Sequence, residues 1–327
     1  MESPKLTEIS SLGEFGLIDR LTDGIKDRHT NATTLTGIGD DCAVMRYRDT
    51  DVLVSTDLLL EGVHFDLTYV PLKHLGYKAV AVNLSDIYAM NGTPRQITVS
   101  LGISRRFAVE HIEQLYEGIR LACEIYGVDL VGGDTTSSRQ GLVISVTAIG
   151  EAAPDDIVYR SGAKDTDLIC VSGDLGAAYM GLQLLEREKV ASAGQKDFLP
   201  DFAGKEYLVE RQLKPEPRRD IVEALAKAGI RPTAMMDVSD GLSSELLHIC
   251  KASGTGCRIY EDRIPIDYQT ALMAEELGMN LVTAALNGGE DYELLFTVPL
   301  HDHDSISGIP GIAVIGHNGD TGNAGYA

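Results

Sequence analysis

The stretch GIGDDCAV, residues 37–44, decides how the rest of the chain is read. Two glycines, Gly37 and Gly39, precede two adjacent carboxylates, Asp40 and Asp41, and an apolar run follows. Glycine lets backbone turn sharply or come close to a ligand. Adjacent carboxylates repel, so a tight turn that carries both calls for a cation nearby. Working outward, the same vocabulary returns in STD (55–57), NLSD (83–86), GGDTT (132–136), DVSDG (237–241) and GGEDYE (288–293). Each sets an acid beside Gly, Ser or Thr. Such oxygen-rich donors suit a hard cation, and magnesium is preferred because the soft ligands that zinc or copper want are not gathered.

The charge balance points the same way. Lys and Arg total 28 against 49 Asp and Glu, a net charge of −21. That surface repels nucleic acid and anionic membrane, which excludes both as partners. It also repels nucleotides, so a phosphate ligand here needs metal ions between it and the carboxylates. Plain solubility charge is the other source of the imbalance. The five cysteines, Cys42, Cys123, Cys170, Cys250 and Cys257, form no CxxC pair and read as free thiols in a reducing compartment. The opening MESPKLTEIS has no apolar signal core and no stretch approaches a membrane span, so the expectation is a cytoplasmic protein.

A length of 327 residues gives room for about two domains. Strand patterns at 51–57, 96–103, 142–151, 167–173, 293–299 and 311–317 mix with helical patterns at 12–24, 71–90, 107–126, 175–189, 217–228 and 240–253. The class is α/β or α+β. VDLVGGD (128–134) reads as a buried strand entering a glycine turn, 61–67 as a loop or short strand, and 190–206 as a surface loop. Pro and charge in AAPDD (152–156) mark a boundary, dividing 1–152 from 153–327.

Asp41, Asp57, Asp86 and Asp134 each fall where an element is expected to end, with Ser55 and Thr56 adding hydroxyls beside Asp57. Any one of them alone reads equally well as a cap or turn former. Together they call for shared cations. In DVSDG, Ser239 and the first-turn amides of a helix suit a phosphate, while Asp237 and Asp240 suit its metal. His64 reads as a structural hydrogen-bonder or a substrate contact, Arg160 as a phosphate clamp or surface cation, and Tyr116 as a base contact or core residue. Neither a Walker A sequence nor a kinase-type glycine loop occurs, and GIGDDC lacks the third glycine of a dinucleotide fingerprint.

In order along the chain, GIGDDCAV, STDLLLEGVHF, KAVAVNLSDIYAMNGTP, LVGGDTT, RSGAKDTD, DVSDGL and GGEDYELLF resemble the thiamine-monophosphate kinase family, over about residues 13–317. That family sits in a superfamily with aminoimidazole-ribonucleotide synthetase and selenophosphate synthetase. The resemblance implies a two-domain fold. The N-terminal domain binds ATP and magnesium and pairs its strands across a homodimer as a barrel. The C-terminal α/β domain completes the nucleotide and substrate site. It implies Mg2+-dependent transfer of the ATP γ-phosphate to thiamine monophosphate, giving thiamine diphosphate and ADP. It further implies metal ligation by Asp41, Ser55, Thr56, Asp57, Asp86, Asp134, Asp237 and Asp240. ATP contacts fall on Tyr116, Gly133, Asp134, Arg160 and Ser239, and substrate contacts on His64, Glu290 and Tyr326. Asn323 stands where the family places an aromatic that packs on the substrate.

The residues fit this chemistry without a protein base. A phosphate monoester has its second pKa near ~6, so the acceptor is already largely anionic at neutral pH. What remains is to hold two polyanions in line and cancel their charge. The competing readings are a relative with a different acceptor and a non-catalytic divalent-cation binder. Selenophosphate synthesis calls for a reactive Cys in an N-terminal glycine-rich loop, whereas Cys42 lies inside an apolar run.

Overall fold

The computed structural model describes residues 12–23, 31–192 and 201–319. Its first sheet comprises β1 (Thr34–Thr36), β2 (Ala43–Tyr47), β3 (Thr50–Leu60), β4 (Thr93–Ile103), β5 (Asp129–Ser137) and β6 (Val143–Ala152). The strand order is β1-β2-β3-β6-β4-β5, antiparallel throughout except for the parallel β4–β5 pair. Strict alternation makes one face apolar: Leu53 on β3, Ile97, Val99 and Leu101 on β4, and Ile144, Val146 and Ala148 on β6 are all buried.

Against that face lies α2 (Leu72–Ala89), buried along nearly its whole length from Leu75 to Ala89. Pro71 opens it in extended backbone, and Asn91 takes a left-handed φ of 58° just beyond its end. α3 (Val109–Tyr126) covers the first turns of α2. A Cβ on Gly118 would stand 1.8 Å from Lys73 O, so only glycine permits this crossing.

The second sheet runs β8-β10-β7-β11-β9, all antiparallel. Its strands are β7 (Leu168–Ser172), β8 (Ala234–Asp237), β9 (Gly256–Ile259), β10 (Leu294–Val298) and β11 (Ile312–Gly319). β7, β8 and β10 are buried at every residue, the mark of a sheet covered on both faces. Helices α4 (Ala177–Ser192), α5 (Glu206–Leu213), α6 (Arg219–Ala228), α7 (Leu242–Ser253), α8 (Tyr268–Leu277), α9 (Leu281–Asn287) and α10 (His303–Ser307) surround it, and α1 (Gly13–Thr22) precedes the first sheet. The two halves share one core, because Leu185, Leu213 and Tyr292 pack into the cluster built on α2 and the first sheet. Among the described residues no helix is long and apolar enough to cross a membrane.

Several expectations are corrected. The strand expected to end at Asp57 continues through Leu58, Leu59 and Leu60. The strand from 129 does not enter a turn at Gly132 but runs on to Ser137, and it is exposed rather than buried. As the sheet edge it pairs only with β4 among the described residues, and its Leu130 and Val131 are exposed. The span read as a loop from 190 begins inside α4. β8, α5, α8 and α9 were not expected from the pattern.

Candidate active site

The site is built from the C-terminal half of α2 and the strand beside it. Ser55 and Asp57 lie two apart on β3, and Asn83, Asp86 and Met90 follow one face of α2 and its cap. These faces meet. Ser55 Oγ donates to Asp86 Oδ2, Asn83 Oδ1 accepts from Asp57 N at 3.0 Å, and Met90 Sδ accepts from Cys42 N at 3.1 Å. The GIGDDC loop is thereby fixed over the end of α2.

Three carboxylates from distant parts of the chain converge here. Asp41, Asp86 and Asp237 each offer an oxygen, and the three lie within 4.8 Å of one another. Ser85 Oγ donates to Asp237 Oδ2 at 2.6 Å. Burial, and then the Asp237 charge, push the Asp86 carboxyl well above its usual range; burial and Asp41 push Asp237 up to about 7. Arg160 Nη2 donates to Asp41 Oδ1 at 2.5 Å, which leaves Asp41 Oδ2 buried and without a hydrogen bond among the described residues. A buried oxygen lacking a donor, in a set of hard ligands that repel each other, fits a magnesium ion.

The two adjacent aspartates of the first motif divide their roles. Asp40 accepts from Arg160 N at 3.2 Å and from Asp41 N at 3.0 Å, tying this loop to the second half of the chain. Burial and the Asp41 charge push it up to about 7. Sequence reasoning also passed over Glu245, on α7, which accepts from Asp240 N at 2.8 Å and is pushed up to about 8 by burial. The available signal was an acid in the first turn of a helix.

Beside the acids lies a cavity of about 370 Å³, whose wall includes His64, Lys78, Gln212 and Glu290. The GGEDY loop that carries Glu290 turns through left-handed backbone at Gly289, Glu290 and Tyr292, with φ of 68°, 62° and 51°. It is bonded to the DVSDG loop, where Ser239 O accepts from Glu290 N at 2.6 Å and Val238 O from Tyr292 N at 2.9 Å. Side chains keep non-glycine residues in this region only when their surroundings hold them. Here Lys78 Nζ binds one carboxylate oxygen of Glu290 and Tyr292 OH donates to the other at 3.2 Å. Lys78 was not singled out, although a lysine inside an apolar helix always needs a partner. His64 Nδ1 accepts from Leu60 N at 3.0 Å. Burial, then the Glu290 charge, push Asp57 up to about 6, so Asp57 links cavity and cluster.

Other expected site residues lie elsewhere. The Thr56 side chain points to the opposite face of the sheet, where its hydroxyl donates to Val146 O at 3.0 Å. This follows from strand parity, since Ser55 and Asp57 face the cluster. Asp240 is exposed at the start of α7, outside the triad of carboxylates. Tyr116 packs on the first core from α3, which crosses α2 near Lys73, about 20 Å of helix from Asp86. Gly133 and Asp134 lie in β5. Asp57, Val146, Val99 and Gly133 stand opposite one another on successive strands, so about 14 Å of sheet separates Gly133 from Asp57. Tyr326 and Asn323 lie outside the described residues.

The family model for AIR synthase related protein, N-terminal domain, matches residues 39–152, and that for the C-terminal domain matches residues 153–302. The class is therefore that of two-domain AIR synthase related proteins. Thiamine-monophosphate kinase of Aquifex aeolicus is 36% identical over 291 residues, covering 89% of this chain and 87% of that protein. The Bacillus subtilis enzyme of the same name is 36% identical over 288 residues, covering 88% and 84%. The solved complex of AaThiL with AMPPCP and TMP shares 34% identity with a TM-score of 0.84, covering 98% of this chain and 95% of that one. The chain belongs to the thiamine-monophosphate kinase family.

Proposed function

We propose that this chain transfers the γ-phosphate of ATP to thiamine monophosphate, directly and with Mg2+, giving thiamine diphosphate and ADP. The observation that carries the reading is the convergence of Asp41, Asp86 and Asp237, within 4.8 Å of one another, beside a cavity that His64 and Glu290 line. These three carboxylates would hold magnesium, with Asp57 next to them. A magnesium ion held there would supply positive charge to offset that of the phosphates. The chain's own residues do the holding. Ser55 and Ser85 orient Asp86 and Asp237, and Arg160 fixes Asp41 with one oxygen free. Glu290 attracts the thiamine cation, and His64 holds the acceptor phosphate. No Ser, Cys or His stands in a nucleophile–base arrangement by sequence, so no covalent phospho-enzyme is assigned.

The domain roles belong to the same proposal. Residues 1–152 bind ATP and magnesium and dimerise, and residues 153–327 complete the nucleotide and substrate site. A homodimer accounts for two observations. The outward face of the first sheet carries Val52, Val54, Leu58 and Ile149 only half covered or exposed, and edge strand β5 is exposed along its length. A partner seated there would bring Tyr116, Gly133 and Asp134 to a nucleotide that one chain alone leaves far from them. The test is a panel of phosphorylated acceptors scored by ADP release with and without magnesium. Magnesium-dependent release confined to thiamine monophosphate is expected. Release with another acceptor, or none with any, counts against the assignment.

A further inference from the structure

The cavity beside the acid cluster carries a polar group that the proposed reaction has not used. Gln212, next to last in α5, is 6% exposed and lines the cavity wall. Its amide oxygen is buried and has no hydrogen-bond partner among the described residues. Buried acceptors are nearly always paired, because an unpaired one gives up its bond to water without replacement. Two contacts fix where this residue sits. Gln212 O accepts from Lys78 Nζ at 2.9 Å, and the same ammonium holds Glu290. On the other side, a Cβ added at Gly181 of α4 would meet Gln212 Cβ at 3.0 Å and Leu208 O at 2.0 Å. Only glycine at 181 lets α5 come this close. Gln212 is thus held where α5 meets α2 and α4, at the cavity wall.

A carboxamide presents an acceptor and a donor side by side. That edge matches an amino group next to a ring nitrogen, the pairing by which Gln and Asn read adenine. An aminopyrimidine offers the same edge. We propose that Gln212 is the specificity-determining contact for the aminopyrimidine ring of the acceptor, its oxygen taking the amino N–H and its NH2 donating to the adjacent ring nitrogen. The inference rests on thiamine monophosphate being the acceptor. The remaining wall suits a flat ring, with Val63, Val70, Leu75 and Leu213 on it, and the volume of about 370 Å³ falls within the usual size of small-molecule sites. Lys78 acts through its neighbours, holding Gln212 and Glu290 in one register.

The test compares kcat/KM for thiamine monophosphate with that for an analogue bearing hydrogen in place of the amino group, in wild type, Gln212→Met and Gln212→Leu. A ring turned over cannot restore the missing donor. Wild type is expected to prefer the amino compound by about tenfold or more. Either variant should bring the preference to within about twofold, chiefly through KM for the acceptor, with KM for ATP unchanged. Equal use of both compounds by wild type overturns the proposal without any variant, and so does a variant that keeps the wild-type preference. Failure of wild type to phosphorylate either compound overturns the functional reading itself, a result distinguishable from equal use of both.

Discussion

Ser85 donates to Asp237 across 2.6 Å, joining residues 152 positions apart in the chain. With that bond the helix under the first sheet orients a carboxylate at the end of a strand in the second. Ser55 does the same for Asp86 within the first half. One hydroxyl occupies a single lone-pair direction, so each carboxylate keeps others for a cation.

Removing charge from this cluster should act oppositely on stability and on activity. In metal-free protein Asp86 and Asp237 are both buried and repel one another. Asp86→Asn keeps an acceptor for Ser55 and relieves that repulsion. The metal-free Tm is expected to rise by about 2–4 °C, while turnover falls by about 100-fold or more. Melts in chelator beside steady-state rates measure both. Unchanged turnover at limiting magnesium would remove Asp86 from the ligand set.

Magnesium should stabilise the protein more as pH rises. An unfolded Asp titrates near ~3.9, whereas folded Asp237 titrates at about 7. Between those values the folded chain holds more protons than the unfolded one, so these groups make metal-free protein less stable as pH climbs. Magnesium bound by these carboxylates would take the place of those protons. The gain in Tm on adding magnesium is therefore small near pH ~5 and large near pH ~8. A gain that is flat or shrinks with pH contradicts the arrangement.

Mixed dimers test whether Asp134 serves the neighbouring chain. Asp134→Asn and Asp86→Asn should each be inactive alone. Co-refolded in equal amounts, half the dimers are mixed and each mixed dimer has one intact site, so about a quarter of wild-type activity returns. No recovery from a mixture shown to contain mixed dimers would place Asp134 in its own chain's site or outside any site. A monomer at micromolar concentration would remove the dimer altogether.

Glu290→Gln and His64→Ala should separate acceptor use from nucleotide binding. Both residues line the cavity rather than the triad of carboxylates. Each change is expected to raise KM for thiamine monophosphate by about tenfold or more and leave magnesium-dependent ATP binding within about twofold. Calorimetry with ATP beside acceptor kinetics decides it, and equal losses in both would assign these residues to the fold.

Much of the site was legible because its side chains are short and tied to local signals. Asp41, Asp86 and Asp237 stand in Gly- or Ser-bearing stretches that interrupt apolar runs, and the structure brings those three together. Strand parity could have set Thr56 aside, since Ser55 and Asp57 must face the other way. The end of β3 was misplaced because the acid at 57 resembles a stop, while the paired run of leucines after it carries the strand on. β5 was misjudged because an apolar run does not reveal whether its strand lies at an edge. Lys78, Gln212 and Glu245 were passed over for different reasons. Lys78 and Gln212 sit in regular helices, with surroundings set by tertiary packing that no local period encodes, whereas Glu245 accepts from Asp240 N five residues away and was signalled locally by its place in the first turn of α7.

Direct transfer would carry the γ-phosphate of ATP to the phosphate of thiamine monophosphate with no protein-bound stage. The most direct measurement uses γ-labelled ATP with enzyme and magnesium, first without acceptor and then with thiamine monophosphate, each followed by denaturation and separation. No label is expected on protein in the first arm, and in the second one labelled thiamine diphosphate is expected for each ADP formed. Stoichiometric label on the protein that then passes to thiamine diphosphate would contradict direct transfer, and ADP formed without labelled thiamine diphosphate would contradict the assigned reaction.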